Sequence, residues 1–159
     1  MTSSCACFEY FTVLFHLDDG FPYYFDTNGT LCNDCEKDEE DGDNNDLKIS
    51  SKQYKSIMNS IQALVKYRML ILYNLECKVF SPSRVPVYIT PNWRNTEKLL
   101  LVIQSNGELK PGIWSKKALI NRGGGLKSGS MLPVFHRASR EKYAIVVLNP
   151  NACWLPDYR

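Results

Sequence analysis

The stretch Leu99-Leu100-Leu101-Val102-Ile103-Gln104-Ser105-Asn106-Gly107, read with Ala144-Ile145-Val146-Val147-Leu148-Asn149-Pro150-Asn151, decides the fold. Each half is a short, wholly apolar, β-rich run that drops abruptly into polar turn residues. About forty residues lie between them, with helical character before the second run. Two such runs joined through a helix predict a βαβ unit, and βαβ units build parallel sheets buried on both faces. Ligands and chemistry in parallel sheets sit at the carboxyl ends of the strands. Those ends carry Gln104-Ser105-Asn106-Gly107 and Asn149-Pro150-Asn151. Eight residues follow Asn151, too few for a third unit of the same kind.

Working outward, residues 50–75 predict one long amphipathic helix. Tyr54, Ile57, Met58, Ile61, Leu64, Val65, Met69 and Leu72 recur at three- and four-residue spacing. Ser50 or Ser51 suits the amino-terminal cap, and Lys52, Lys55, Lys66 and Arg68 suit the outer face. Phe21-Pro22-Tyr23-Tyr24-Phe25 leading into Asp26-Thr27-Asn28-Gly29-Thr30-Leu31 predicts a hairpin, with Asn28-Gly29 as a type I′ turn. Pro82 and Pro86 mark residues 78–90 as an edge strand or extended link, and Pro91 to Thr96 as a turn. Trp114 to Asn121 predicts a short helix. Met131 to Tyr143 predicts another, with Leu132, Phe135, His136 and Ser139 on one side. The fold class expected is α/β.

The 159 residues fit a single domain, and 44% hydrophobic content supports a real core. The net charge of +2 conceals a division along the chain. Residues 1–46 hold twelve acids and one lysine; residues 47–159 hold eighteen lysines and arginines and five acids. Such a division reads as a solvated acidic loop beside an ordinary basic domain, or as a basic partner-binding face. Residues 33–46 bury almost nothing apolar and predict a disordered acidic loop. No apolar run approaches the length of a membrane span, and Glu9, His16 and Asp18 interrupt the first apolar stretch, against a signal peptide. The six cysteines are accordingly expected as free thiols, and the triplet Asn28-Gly29-Thr30 as a turn rather than a glycosylation site.

Four motifs invite chemistry and are outweighed by plainer readings. Gly123 to Ser130 lacks the spacing of a phosphate-binding loop, since Lys127 precedes Ser128-Gly129 and no strand leads in; a flexible connection is expected. Cys32 and Cys35, with Cys5 and Cys7, reach a zinc-like count, but the first pair has the wrong spacing and no scaffold follows Cys35. Ser105 follows a strand with Gly107 two residues on. Yet Ile103 stands where a nucleophile elbow needs glycine, and Pro111 forbids an immediate helix. A base would have to be His16 or His136. Tyr54, Trp93 and Trp114 lie among basic residues without the dense aromatic interleaving of a nucleic-acid platform.

From Phe21 onward the chain resembles the Argonaute-binding (Arb-two) domain family and its animal homologues. The resemblance rests on six segments in order. They are Phe21 to Leu31, Gln53-Tyr54 through Leu75, Glu97 to Ile103, Gly107 to Trp114, Ser128 to Pro133, and Tyr143 to Asn151. It implies an α/β-hydrolase-like sheet, here incomplete, with residues 1–20 as an amino-terminal segment and 21–159 as a partial domain. In that fold the loop after the first long strand lends backbone N–H groups to an oxyanion. Gln104, Ser105, Asn106 and Gly107 occupy that loop in degenerate form, as low-grade binding residues, with Gly107 alone keeping a loop role. The serine-bearing segment that family members carry after the Asn-Pro-Asn strand has no counterpart, so no catalytic residue is assigned. The resemblance implies a non-catalytic interaction protein of the nucleus or cytoplasm, with a protein partner such as an Argonaute, in RNA silencing, heterochromatin assembly or nuclear RNA processing. No cofactor, metal, membrane, direct nucleic-acid contact or small-molecule substrate is expected. The alternative is a serine esterase of the hydrolase type, or a fragment of one.

Overall fold

The computed structural model describes residues 23–26, 29–33, 50–80, 85–104, 109–121 and 124–150. The acidic stretch from residue 34 onward, the segment 1–20, Asn28, Ser105, Asn106 and Gly107 lie outside the described residues, as do Cys5, Cys7 and Cys35. Two compact units are present: Met1–Ile61 with Ser115–Gly129, and Gln62–Trp114 with Ser130–Arg159.

The first unit opens with a hairpin, β1 (Tyr23–Phe25) and β2 (Leu31–Asn33), paired antiparallel from Tyr23↔Asn33 to Phe25↔Leu31. Asn33, expected to begin the acidic loop, instead closes β2. The turn differs from a two-residue type I′ connection. The Gly29 N–H donates to the Asp26 carbonyl at 2.9 Å, so Gly29, at φ +77°, is the last residue of the turn rather than part of its central pair. Asp26 also accepts from the Thr30 N–H through Oδ1 at 2.7 Å.

Helix α1 (Ser51–Tyr73) begins in the first unit and continues into the second. Its start is a reciprocal cap. The Gln53 N–H donates to Ser50 Oγ at 3.3 Å, and the Ser50 N–H donates to Gln53 Oε1 at 3.0 Å. Ile57, Met58, Ile61, Leu64, Val65 and Met69 are buried, as the periodicity predicts. Arg68 and Leu72 reverse expectation: Arg68 is buried, and Leu72 is exposed with Tyr67, Leu70 and Ile71. The buried stripe therefore turns slightly around the helix in its last turns and ends on Tyr73. Burial lowers the pKa of the Arg68 guanidinium, with the nearby Tyr73 opposing. The helix exits through Asn74 in the left-handed region (φ +52°).

Two short helices complete the first unit, α2 (Lys116–Ile120) and α3 (Leu126–Gly129). Ser115 caps α2, accepting from the Ala118 N–H at 3.2 Å. Where the flexible glycine connection was expected, Gly124 and Gly125 are instead tightly packed. The Gly125 N–H donates to the Ala118 carbonyl at 2.8 Å, and the Leu126 N–H to the Gly29 carbonyl at 2.7 Å. A side chain at Gly125 (φ +102°) would run into the Gly29 backbone.

The second unit holds a four-stranded sheet in the order β3-β4-β6-β5. Its strands are β3 (Glu76–Phe80), β4 (Val85–Ile89), β5 (Leu99–Ile103) and β6 (Ala144–Leu148). β5 and β6 are parallel neighbours over their whole length, from Leu99↔Ala144 to Ile103↔Leu148. The two runs that opened the sequence reading thus pair as expected, with α4 (Leu132–Arg140) between them in the chain and lying against β6. β4 is not an edge: it pairs antiparallel with β3 on one side and β6 on the other. Pro86 is tolerated because only Val87 to Ile89 pair with β6, which leaves Pro86 where β3 alone is the neighbour. In α4 the buried residues are Leu132, Phe135 and Ala138; Ser139, expected among them, is exposed.

Candidate functional site

The carboxyl ends of the parallel pair are closed by two buried carboxamides. Gln104 continues the ladder by one residue, its N–H donating to the Leu148 carbonyl at 3.0 Å. By strand alternation Gln104 shares a face with Val102, and Asn149 shares it with Val147. All four residues are buried, Gln104 at 2% and Asn149 at 6% exposure. The opposite row of β5 is exposed: Leu99, Leu101 at 51% and Ile103 at 64%.

A short run of backbone holds Gln104 in place. Its Nε2 donates to the Ile113 carbonyl at 2.6 Å. Ile113 bridges to Ser130, and the Met131 N–H donates to the Gly112 carbonyl at 2.8 Å. Gly112 is itself required: its φ is +85°, and a Cβ there would come within 2.6 Å of both Met69 Sδ and Val65 Cγ1. The sequence Pro111-Gly112-Ile113 thus lets α1 approach the backbone that anchors Gln104. Ser130 Oγ accepts from the Leu132 N–H at 3.3 Å as α4 begins, and the Phe135 ring meets Tyr73 edge to face at 6.1 Å between centroids.

The electrostatics are those of a neutral, acceptor-rich corner. Gln104 Oε1 and Asn149 Oδ1 are buried without a hydrogen-bond partner among the described residues. The Gln104 N–H is already committed to Leu148, so this residue has no backbone donor to offer an oxyanion. A role of that kind in the loop would fall to Ser105, Asn106 and Gly107, outside the described residues. Gln104 is therefore the one expected binding residue among those described, and Asn149, in the second strand end that the sequence marks, follows β6 at the matching position. The signal for Asn149 was present, since the polar residue immediately after a buried parallel strand occupies the same position as Gln104 on its neighbour.

The remaining candidates are scattered. His136 is half-buried on α4, its ring 6.5 Å from that of Tyr73 and its Nε2 buried without a hydrogen-bond partner among the described residues. Among the described residues Cys77 is a free thiol, and the Cys32 Sγ–H donates to the Thr30 carbonyl at 3.6 Å. Cys77 lies on β3 opposite Tyr88, whose hydroxyl is pushed up to about 12, first by burial and then by the neighbouring thiol. Among the described residues no cluster of His, Cys, Asp and Glu is placed to hold a metal ion, and no helix is long and apolar enough to cross a membrane.

The Arb2 domain profile matches residues 22–158. A cotranscriptional regulator ARB2A homolog of Xenopus tropicalis is 42% identical over 57 residues, which is 36% of this chain and 13% of that protein. The human cotranscriptional regulator ARB2A is 39% identical over 57 residues, again 36% of this chain and 13% of the relative. A longer match joins the chain to the Dictyostelium discoideum cotranscriptional regulator ARB2A homolog, 26% identical over 136 residues, 82% of this chain and 33% of the relative. The matched region therefore spans a third or less of each of these relatives' own length. With the profile match running from the first hairpin strand past β6, the chain belongs to the Arb2 domain family.

Proposed function

We propose that this chain is a non-enzymatic regulatory protein that works by binding another protein, with an Argonaute as the partner and the nucleus as the place of action. The family and its relatives named as cotranscriptional regulators support the regulatory part of this reading. The observation that carries the binding part is the exposed row Leu99, Leu101 and Ile103 on β5. β5 ends the described sheet and bears no charged or proline residue within the strand. Sheet edges are ordinarily guarded by such residues, and parallel strands are ordinarily covered on both faces. The basic half of the chain supplies a second contact surface. In this reading residues 21–159 form part of an Argonaute-binding-type domain, 1–20 precede it, and Gln104, Ser105, Asn106 and Gly107 form a binding loop without catalytic duty.

The test is affinity purification of the tagged chain from nuclear extract. An Argonaute is expected in the eluate with wild type. It is expected to be lost with the pair Leu101→Lys and Ile103→Lys, at an unchanged melting temperature. Its absence with wild type overturns the assignment of partner. A fluorophosphonate probe is expected to leave the chain unlabelled; label on Ser105 would turn the reading toward a hydrolase.

A further inference from the structure

The amino end of the parallel pair is built differently from its carboxyl end. Two connections arrive there side by side. One runs from Thr90 at the end of β4 to Lys98 at the start of β5; the other joins α4 to β6. They are tied together, since the Thr90 N–H donates to the Ile145 carbonyl at 3.0 Å and the Ala144 N–H to the Lys98 carbonyl at 2.9 Å. Between them, residues 90–98 and 137–143 carry Arg94, Lys98, Arg137, Arg140 and Lys142 against Glu97 and Glu141. Glu141 is held by its own helix neighbour, accepting from Arg137 Nε at 2.9 Å. The other four cations are exposed. The carboxyl end of the same strands, by contrast, presents the neutral amides of Gln104 and Asn149.

Two of these cations are held in place. The Arg94 guanidinium lies 4.8 Å from the Trp93 ring centroid, and Lys98 Nζ lies 5.4 Å from that of Tyr143. Lys142 follows in the tight exit from α4, at φ +61°, with its side chain exposed. Cations restrained against a ring in this way lose less freedom on meeting an anion than cations on free side chains.

We propose that Arg94, Lys98, Arg140 and Lys142 form a docking surface for an acidic segment of a partner protein. This rests on the reading of the chain as a protein-binding regulator and names the chemistry of one contact. Carboxylates fit better than a nucleic-acid strand. Base stacking needs free aromatic faces, and the half-buried Trp93 and Tyr143 rings each already carry a cation on one face.

The experiment uses the full chain and a fluorescein-labelled oligoglutamate peptide, followed by anisotropy across a salt series. Saturable binding that weakens with salt is expected. The double variant Lys98→Glu with Lys142→Glu is expected to bind about tenfold more weakly or worse. The double variant Lys55→Glu with Lys66→Glu, on exposed positions of α1, makes the same change in net charge and is expected to stay within about twofold. Melting curves confirm that both variants fold. Three results overturn the proposal: no saturable binding to wild type, equal losses in the two double variants, or tighter binding of a single-stranded oligouridine of matching length. Argonaute recovered by wild type alongside any of them defeats this surface alone and leaves the proposed function standing.

Discussion

Gly112 carries the sharpest single-residue requirement in the second unit. Its positive φ and the 2.6 Å approaches to Met69 and Val65 act together, so Gly112→Ala is expected to cost about 2 kcal/mol or more in a denaturant titration. Adding Met69→Ala is expected to remove part of the overpacking cost but none of the backbone cost. The double variant should therefore be less destabilised than the two single losses predict together, and a double-mutant cycle measures that difference. Lys142 is the opposite case. It sits at φ +61° with a Cβ, and Lys142→Gly is expected to raise stability by about 1 kcal/mol in thermal unfolding. At Gln104, removal of the amide by Gln104→Ala leaves the Ile113 carbonyl without its donor and opens a space behind β5. A loss of about 2 kcal/mol is expected.

At the scale of elements, the β3–β4 hairpin holds a titratable group that reports on folding. The Tyr88 hydroxyl ionises near 10 in an unfolded chain and near about 12 in the folded one. A raised folded value means the stabilisation is complete below pH 10 and is lost as the pH climbs from 10 toward 12, because the unfolded chain then releases the proton first. The melting temperature is expected to fall through that window, and Tyr88→Phe is expected to remove this contribution to the fall. α1 is a second such element. Its reciprocal cap is a local device, and Ser50→Ala is expected to cost about 1 kcal/mol.

For the sheet as a whole, the two parallel strands differ in what surrounds them. Ala144 to Val147 of β6 are buried on both faces, whereas β5 is buried on one face only. Ile145→Ala is therefore expected to cost about 2–5 kcal/mol, the ordinary range for a core truncation. Ile103→Ala is expected to cost about 0.5 kcal/mol or less. The comparison of the two variants by chemical denaturation tests whether the exposed row of β5 contributes to the fold or is held open for a partner.

The amino-acid sequence by itself determined the elements whose information is local. The 3.6-residue apolar period specified α1, and Ser50 or Ser51 its start, between which the structure chose Ser50. Two uninterrupted apolar runs, too short for long helices and flanked by turn residues, specified β5 and β6 and their parallel relation. Gln104 was legible as the residue that closes the end of β5 because it terminates such a run. Only the tertiary structure decided the rest, where the outcome depends on neighbours remote in sequence. Pro86 reads as an edge signal, yet it lies in an inner strand because β6 pairs only beyond it. Arg68 reads as surface by charge, yet it is buried, and Gly125 reads as part of a flexible link, yet it is packed against the hairpin turn. Asn149 became the counterpart of Gln104 only through strand register. A periodicity records which face of an element is apolar, but a hydrogen-bonded register places one element's residues against another's, and here that register joins residues some forty-five positions apart.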